Sequence, residues 1–414
     1  MIELADIREA RGRIAGLVKE TPCLESEVLS ELCGVELHLK YESLQRTGSF
    51  KPRGAINRLL CLSPEERERG VIAASAGNHA QGVAYAAATV GGQALIVMPE
   101  TTPLVKVTRT RELGARVELH GQSLDAALEH AYTLRDEQNL TFVHPFEDAE
   151  VIAGQGTVGL EILEQVPDLE AVVVPIGGGG LISGVATAVK ALRPEVEVLG
   201  VQSQAAPAMK RSFDSGELQK QKVEATIAEG ITLKSPGKNT FPIIQRLVDG
   251  IELVSEEEIE AAVVELLEVG KSLTEGAGAA GYCAVRQGRF PALAGRRVVV
   301  VLCGANIDSN ILGRIIERSL LKQHRLVRLR ITIKDRPGGL SDLLDVVAEQ
   351  GANVMHIHHD RVFTDTAFWQ VEARLTLETR NREHIDDLIA ALGAAGYEDI
   401  EELSTRLVPG PRAA

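Results

Sequence analysis

The segment Ser49-Phe50-Lys51-Pro52-Arg53-Gly54-Ala55, which follows a turn-forming Thr47-Gly48, sets one lysine at the predicted start of a helix. Serine at the cap and proline at the first helical position favour a helix start here, so the Lys51 ammonium lies near the positive end of the helix dipole. Desolvation or nearby positive potential lowers the pKa of a lysine, and a neutral lysine is a nucleophile that can form a Schiff base with a carbonyl compound. A lone lysine near a helix start is more often a solvated surface residue. Three further segments favour the interpretation of Lys51 as a nucleophile.

A second segment, Ser75-Ala76-Gly77-Asn78-His79-Ala80-Gln81-Gly82, follows the apolar run at 71–74 and precedes a helical stretch of small residues at 83–90. In an α/β sheet, a polar loop between a buried strand and a helix is where ligand-binding groups are presented. Its backbone N–H groups could hold a carboxylate. The alternative is an ordinary loop with an Asx turn, which explains Asn78 taken alone.

A third segment contains four consecutive glycines, Gly177-Gly178-Gly179-Gly180, between the apolar run 171–176 and a helical stretch at 181–192. Such a run is costly in chain entropy, so a compensating role is expected. Backbone amides without side chains can converge on one anion at a helix N-terminus, and this arrangement suits a phosphate. Neither Gly-x-Gly-x-x-Gly with a downstream acid nor a following Gly-Lys-Ser/Thr is present, so dinucleotide and nucleoside triphosphate sites are not indicated.

The fourth segment is another apolar strand, 298–302, followed by Cys303-Gly304-Ala305-Asn306. A cysteine at such a position is most often a buried small hydrophobic residue. At the carboxyl end of a parallel strand, Cys303 could instead offer a weak hydrogen-bond donor or acceptor to a ligand ring.

Together these four segments resemble the threonine dehydratase and serine racemase branch of the pyridoxal-phosphate enzymes of the tryptophan synthase β type, or fold type II, over about residues 4–324. The resemblance implies an α/β catalytic domain at 1–320 with two lobes that share one cofactor cleft. A small lobe of about residues 45–145 is expected to be inserted into a large lobe and to close over the substrate. The implied cofactor is pyridoxal 5'-phosphate.

In the pattern of this family, the lysine of the Ser-Phe-Lys motif holds the cofactor covalently, and here that residue is Lys51. Freed by the substrate amine, the same lysine is the expected catalytic base at Cα. Asn78 is expected at the ring oxygen, the glycine loop at the phosphate and Cys303 at the pyridine nitrogen. The cofactor contacts that the resemblance implies are Phe50, Lys51, Asn78, Gly177, Gly178, Gly179, Gly180 and Cys303. The implied substrate contacts are Ser75, Gly77 and His79, largely through backbone atoms, and Glu275.

A cysteine at the pyridine nitrogen has a chemical consequence, because a thiol cannot keep that nitrogen protonated as a carboxylate would. The ring is then a weaker electron sink, which favours expulsion of a β-hydroxyl as the proton leaves over transamination. The expected reaction is elimination, which gives 2-oxobutanoate from L-threonine or pyruvate from L-serine, with ammonia. Two alternatives stay open: a serine-selective dehydratase or racemase, and a catalytically idle amino-acid sensor.

Two departures separate the sequence from the serine racemase pattern. The second serine of that pattern, an acid and base on the opposite face of the cofactor, is Ala76 here, so weak racemisation is expected. The acidic loop that holds a divalent cation corresponds to Gln202-Ser203-Gln204-Ala205-Ala206-Pro207-Ala208, which contains no carboxylate. Because a hard divalent ion needs charged oxygen ligands, we predict no metal site of this kind, and a monovalent cation on backbone carbonyls stays open.

The pattern of apolar and charged residues changes in the last quarter of the chain. Residues 326–333 alternate apolar and charged side chains as a half-buried antiparallel strand does, and Asp335-Arg336-Pro337-Gly338-Gly339 predicts a turn. Apolar residues then repeat at helical spacing over 340–348. Strands at 353–359 and 367–377, a helix at 382–394 and a short closing strand complete a ferredoxin-like βαββαβ order. The segment resembles the ACT domains that bind amino acids beside metabolic enzymes, over about residues 326–405.

An ACT domain implies regulation by an amino acid held where two such domains pair. The expected contacts are Arg336, Gly338 and Leu340 at the turn and helix start, facing Asn353. Isoleucine or valine suits a biosynthetic role, but the residues do not select one. A domain that serves only for assembly is the alternative.

The composition also limits the classes of partner and the cell compartment that are expected for this protein. A net charge of -14 over 414 residues argues against a nucleic-acid partner. No apolar run approaches the ~20 residues of a membrane span. The five cysteines form no Cys-x-x-Cys pair and nothing at the amino end resembles a signal peptide, so a reducing cytoplasm is expected. The family resemblance implies a homodimer or homotetramer that acts on a small molecule.

Overall fold

The computed structural model describes residues 2–361 and 367–403. The chain divides into two compact units, Met1–Asp308 and Ser309–Ala414. The helix Ser309–Lys322, most of which the sequence-based division assigns to the catalytic domain, lies in the second unit. Residues 404 and 405, the last two of the expected ACT segment, lie outside the described residues.

The first unit contains two mainly parallel sheets and the helices that cover them. Its strands are β1 (Cys23–Glu25), β2 (Glu36–Lys40), β3 (Val71–Ala74), β4 (Ala94–Met98), β5 (Arg116–Leu119), β6 (Thr141–Phe142), β7 (Ala171–Pro175), β8 (Glu197–Ser203), β9 (Gly250–Val254) and β10 (Arg297–Val301). Its helices are α1 (Leu4–Ile14), α2 (Glu27–Cys33), α3 (Lys51–Leu60), α4 (Pro64–Arg69), α5 (Asn78–Val90), α6 (Leu104–Glu112), α7 (Leu124–Gln138), α8 (Ala149–Gln165), α9 (Gly180–Leu192), α10 (Ala208–Ser215), α11 (Thr240–Leu247), α12 (Glu256–Glu268) and α13 (Gly276–Arg286). Short 3₁₀ turns lie at Glu42–Leu44, Glu229–Ile231 and Pro291–Leu293.

The larger sheet has six strands in the order β1-β2-β10-β7-β8-β9. All neighbours pair in parallel except β1 and β2, which are antiparallel. Every residue of β7 is buried, as expected for a parallel strand in a sheet covered on both faces. The carboxyl ends of β7 and β10 lead into the glycine loop and the Cys303 segment, so both loops lie at the same edge of this sheet.

The smaller sheet has four parallel strands in the order β5-β4-β3-β6. The chain leaves the larger sheet after β2, builds all four strands of the smaller sheet and returns at β7. These two sheets are the cores of the two lobes of the fold-type II architecture that the sequence predicts.

Close helix packing places α3, which begins with Lys51. A Cβ added at Gly154 of α8 would lie 2.6 Å from the Cα of Gly54 in α3. A Cβ added at Gly82 of α5 would lie 2.8 Å from the Cβ of Lys51. Because larger residues at these positions would push the helices apart, the glycines set the position of the lysine helix against both neighbours.

The second unit has the βαββαβ order that the sequence predicts. Its elements are α14 (Ser309–Lys322), β11 (Leu326–Lys334), α15 (Gly339–Glu349), β12 (Asn353–Asp360), β13 (Gln370–Glu378), α16 (Arg382–Ala394) and β14 (Ile400–Glu402). The four strands form an antiparallel sheet in the order β12-β13-β11-β14. Strand β13 starts at Gln370 rather than 367, because a turn with a hydrogen bond from the Gln370 N–H to the Ala367 carbonyl oxygen precedes it. No helix among the residues described in either unit is long and apolar enough to cross a membrane.

The strand register separates Asn353 from the turn at Arg336. Asn353, the first residue of β12, is level with Glu378, and Glu378 is also level with Leu326 at the start of β11. The turn instead follows Lys334, the last residue of β11. At about 3.3 Å per residue the two ends of β11 lie roughly 26 Å apart. Within one copy of the domain, Asn353 therefore lies at the opposite end of the sheet from the turn, because a strand–helix–strand crossover begins its second strand there. The meeting of Asn353 with the turn where two domains pair stays a prediction.

Candidate active site

Lys51 is the first residue of α3, but the helix is not capped as the sequence predicts. Phe50 occupies the cap with a helical backbone and makes no side-chain cap hydrogen bond. Ser49 is not the cap, because it is held in an antiparallel bridge with Gly304. The Phe50 N–H also donates to the Cys303 carbonyl oxygen at 3.2 Å. The start of the lysine helix is therefore tied to the loop after β10.

The Lys51 side chain is partly buried beside an aromatic ring and a carbonyl group. Its Nζ lies 5.0 Å from the centroid of the Phe50 ring and donates to the Pro145 carbonyl oxygen at 3.3 Å. Loss of solvation lowers the pKa of Lys51 to about 8, although the negative charge of the Glu275 carboxylate opposes the shift. Burial, rather than the helix dipole, is thus the main cause of a more nucleophilic lysine.

Asn78 begins α5, and its amide is bonded to residues of the larger lobe. Its Nδ2 donates to Glu275 Oε1 at 2.6 Å, and its Oδ1 accepts from Asn306 Nδ2 at 2.7 Å. Gly77 is the cap of this helix, and its N–H donates to the Ser75 hydroxyl oxygen at 3.3 Å. The loop after β3 therefore meets the loop after β10 and the start of α13.

His79 belongs to the same loop, but its side chain serves the smaller lobe. The buried ring places Nε2 2.8 Å from the Val143 carbonyl oxygen. Burial lowers the pKa of His79 to about 3, and the Lys51 charge acts in the same direction. The neutral ring therefore donates to that carbonyl, which leaves the His79 backbone as the part able to contact a substrate.

The glycine loop is packed so closely that it has no room for side chains. Gly179 has a φ of 95°, which L residues with a side chain rarely adopt, and it precedes α9. A Cβ added at Gly178 would lie 2.3 Å from the Phe146 ring. The Thr240 hydroxyl donates to the Gly178 carbonyl oxygen at 2.5 Å and so holds the loop. The first N–H groups of α9 have no partner within the helix, and its first turn has no acidic residue, so the loop fits a phosphate.

Cys303 and Glu275 are buried within electrostatic range of Lys51. Burial raises the pKa of the Cys303 thiol, so the thiol stays protonated at neutral pH. Burial also raises the pKa of Glu275 to about 7. Glu275 is the cap residue of α13, and its N–H donates to the Gly304 carbonyl oxygen at 3.1 Å. The site therefore offers a neutral thiol and a carboxyl group that titrates near neutrality.

Three residues at this cleft were not predicted from the sequence: Asn306, Phe146 and Glu147. Asn306 had a signal, because it is a polar residue shortly after the end of a buried strand. Glu147 accepts hydrogen bonds from the backbone N–H groups of Lys238 and Asn239, the latter at 2.7 Å, and so fixes the loop before α11. Phe146 and Glu147 had little signal, because they follow a strand of only two residues.

Two ion pairs also join the lobes. Lys106 of α6 pairs with Glu229 at 2.6 Å, and Lys234 pairs with Asp125 of α7 at 2.5 Å. The Glu229 and Lys234 side chains are more than half exposed, so each pair contributes only about 0–1 kcal/mol. Such contacts can break at low cost.

The fold and the cleft define a fold-type II enzyme of pyridoxal phosphate, and sequence comparison agrees. The pattern of the pyridoxal-phosphate dependent enzyme family matches residues 14–304, and the ACT domain pattern matches residues 322–397. The chain belongs to this family of pyridoxal-phosphate dependent enzymes.

Three known proteins show the degree of similarity. An L-threonine ammonia-lyase of Thermotoga maritima is 48% identical over 398 residues, which are 96% of this chain and 99% of that protein. The structure of the processed form of threonine deaminase isoform 2 from Solanum lycopersicum has a TM-score of 0.73 at 40% identity, covering 76% of this chain and 91% of its own. The structure of maize serine racemase has a TM-score of 0.73 at 34% identity, covering 78% of this chain and 99% of its own.

Proposed function

We propose that the protein is a threonine ammonia-lyase that converts L-threonine to 2-oxobutanoate and ammonia, and also converts L-serine to pyruvate. The observation that carries the proposal is 48% identity to an L-threonine ammonia-lyase over 96% of the chain. The partly buried Lys51, with a pKa of about 8, supplies the nucleophilic amine that this chemistry needs.

Lys51 performs the proton transfer. A pKa of about 8 leaves a useful fraction of the amine neutral near neutral pH, which suits a general base. Its Nζ removes the proton from Cα of the substrate, and the β-hydroxyl departs from Cβ with a proton as water. Pyridoxal phosphate, when bound, supplies an electron sink for the charge that develops at Cα. Hydrolysis of the released enamine takes up one water, so the overall reaction needs no co-reactant.

Other residues would bind the cofactor and the substrate and orient them. The backbone N–H groups of residues 177–180 would hold the cofactor phosphate, because the loop presents an N-terminal helix end without side chains. Asn78 Nδ2 would donate to the ring oxygen, and the protonated Cys303 thiol would meet the ring nitrogen without fixing a proton there. The backbone around Ser75 and Gly77 would receive the substrate carboxylate.

The first experiment is the absorbance spectrum of the purified protein, followed by assays of 2-oxobutanoate and ammonia after L-threonine is added. We expect a near-visible band that Lys51→Ala cannot form, and product only from proteins that keep the lysine. Lys210→Ala is the matched control, because Lys210 lies in an exposed pair with Asp214. No band and no product with added pyridoxal phosphate would refute the proposal and favour an idle amino-acid sensor.

A serine-selective dehydratase or racemase is the second candidate, because a serine racemase has the same fold at 34% identity. Parallel initial rates on L-threonine and L-serine, with a chiral assay for D-serine, separate the candidates. Ala76 replaces the expected acid and base on the second face, so we expect little D-serine. Rapid D-serine formation without 2-oxobutanoate would favour the racemase.

The second unit is proposed to bind an amino-acid effector. A cavity of about 590 Å³ lies beside the turn after β11, and Arg336, Asp342 and Tyr397 are among the residues that line it. Arg336 pairs with Asp342 at 2.6 Å, so one cation and one anion are available for an α-amino acid. Of the sequence-predicted contacts, only Arg336 lines this cavity; Gly338, Leu340 and Asn353 do not.

The single tryptophan offers a direct test of effector binding. Trp369 is 74% exposed, and its carbonyl oxygen accepts from the Asp335 N–H at 2.9 Å beside the turn. We expect L-isoleucine or L-valine to change its emission and the rate on threonine, and Arg336→Ala to abolish both changes. Arg135→Ala, in an exposed pair with Asp136, is the control. No response to any amino acid would leave the domain an assembly module.

We assign residues 1–320 to catalysis and 326–405 to regulation. The free cysteines of the described residues suit a reducing cytoplasm. We propose a homodimer or homotetramer, which light scattering of the purified protein would identify, with no nucleic-acid partner.

A further inference from the structure

The Asn306 side chain is bonded to two parts of the cleft. Its Nδ2 donates to the Thr47 carbonyl oxygen at 2.7 Å and to Asn78 Oδ1 at 2.7 Å. One residue from the loop after β10 thus contacts both the turn before the lysine helix and the first residue of α5.

These bonds have a defined direction. A backbone carbonyl only accepts, so the Asn306 atom that faces Thr47 must be the NH₂ group. The same NH₂ group faces Asn78, and therefore the Asn78 atom that meets it must be the carbonyl oxygen. The Asn78 amide can then present only its NH₂ group on the other side, where it donates to Glu275 Oε1 at 2.6 Å.

Neighbouring glycines leave just enough space for this chain of bonds. A Cβ added at Gly304 would lie 2.6 Å from Glu275 Oε1 and 3.1 Å from Asn78 Nδ2. A Cβ added at Gly48 would lie 2.9 Å from Asn306 Oδ1. A side chain at either glycine would therefore displace these amides.

We propose that Asn306 is a positioning residue that keeps the Asn78 amide in the orientation in which its NH₂ group, and not its oxygen, is offered to the cofactor. A flipped Asn78 would turn an acceptor towards the cofactor's ring oxygen and lose the bond that holds it. Asn306 thus acts through Asn78 without itself contacting the cofactor. The inference rests on the proposed function only in that pyridoxal phosphate binds this cleft.

The test compares the affinity and absorbance spectrum of bound pyridoxal phosphate in the full chain. Asn306→Asp keeps the shape but removes the NH₂ group, and Asn306→Ala removes the side chain. We expect both variants to weaken binding by about tenfold and to change the spectrum, because the donor is no longer fixed. Gln122→Ala is the control, because Gln122 is an exposed amide that donates to Glu100 at 2.5 Å.

A double-mutant cycle separates positioning from a general structural effect. If Asn306 acts through Asn78, then Asn306→Ala should change neither affinity nor spectrum further in an Asn78→Ala background. If the loss of affinity in the double variant equals the product of the two single losses, within a factor of about two, the proposal is overturned. Unchanged affinity and spectrum in both single variants would overturn it as well. These readouts need no turnover, so a wild type that binds cofactor but makes no 2-oxobutanoate would refute the proposed function alone.

Discussion

The guanidinium of Arg53 lies 2.8 Å from the carboxylate of Glu42, and both side chains are completely buried. Arg53 also bonds Glu161 of α8 at 2.5 Å, which links the lysine helix to the larger lobe. Burial alone would raise the pKa of Glu42, but the charge and hydrogen bonds of Arg53 lower it overall. Arg53 therefore holds two buried anions in place two residues after Lys51.

Replacing Arg53 with methionine should destabilise the first unit by about 3–5 kcal/mol, because the buried Glu42 would lose its ion-pair partner and Glu161 would keep only Lys40. Urea unfolding of the wild type and Arg53→Met measures the difference. Arg135→Ala, which breaks a pair on the surface, should change stability far less, because water screens exposed charges. Equal effects of the two substitutions would contradict the role of burial.

The reactivity of Lys51 should follow a midpoint of about pH 8. The pKa is lowered by burial, so the folded protein releases this proton below the usual lysine value of 10.5. Uptake of pyridoxal phosphate by the apo-protein should accelerate through this midpoint, because only the neutral amine attacks a carbonyl. Rapid-mixing absorbance measures the rate, with Lys51→Ala as the blank. A midpoint near 10.5 would show that the lysine is fully solvated.

Glu275 should contribute to the free energy of unfolding of the apo-protein in acid. Its pKa is raised from 4.5 to about 7, so the folded state binds this proton more tightly than the unfolded state does. The resulting stabilisation is complete below pH 4.5 and is lost as the pH rises through 7. Its size is about 3 kcal/mol. In unfolding measurements at pH 5 and 8, Glu275→Gln should lose this pH dependence, and an unchanged dependence would place its source elsewhere.

Gly178→Ala should disrupt the glycine loop, because the new Cβ would lie 2.3 Å from the Phe146 ring. We expect a loss of about 1–3 kcal/mol in stability and at least about tenfold weaker binding of pyridoxal phosphate. Gly12→Ala is the matched control: Gly12 lies in α1 with open space around it, so alanine should stabilise by about 0.5–1 kcal/mol. Normal cofactor affinity in Gly178→Ala would exclude the loop as the phosphate site.

The fold was predictable where local pattern and burial agree. The apolar run 171–176 and the four glycines after it predict a strand, a loop and a helix. An apolar strand must be buried, and the strand ends where glycines, which have no side chains, begin. The structure has β7 and α9 at these positions. Lys51, Asn78, the glycines and Cys303 each follow or precede such an element, so their motifs locate them in the cleft.

Pairing between distant residues was not predictable in the same way. Asn306 meets Asn78 across 228 residues, and Arg53 meets Glu161 across 108. Sequence spacing has no bearing on such contacts, because they depend on how two separately built lobes dock. The cap of α3 was mispredicted for a related reason: the pairing of Ser49 with Gly304 overrides the local preference of serine for the cap.

The division of the chain also has an evolutionary consequence. One hydrophobic cluster is built from buried residues between Val327 and Leu392 of the second unit, and three others from buried residues between Ile2 and Ile243 of the first unit. A genetic crossover near the codon for Asp308 would therefore cut through none of these four clusters. A lineage could gain or lose the second unit in one recombination event without interrupting any of them.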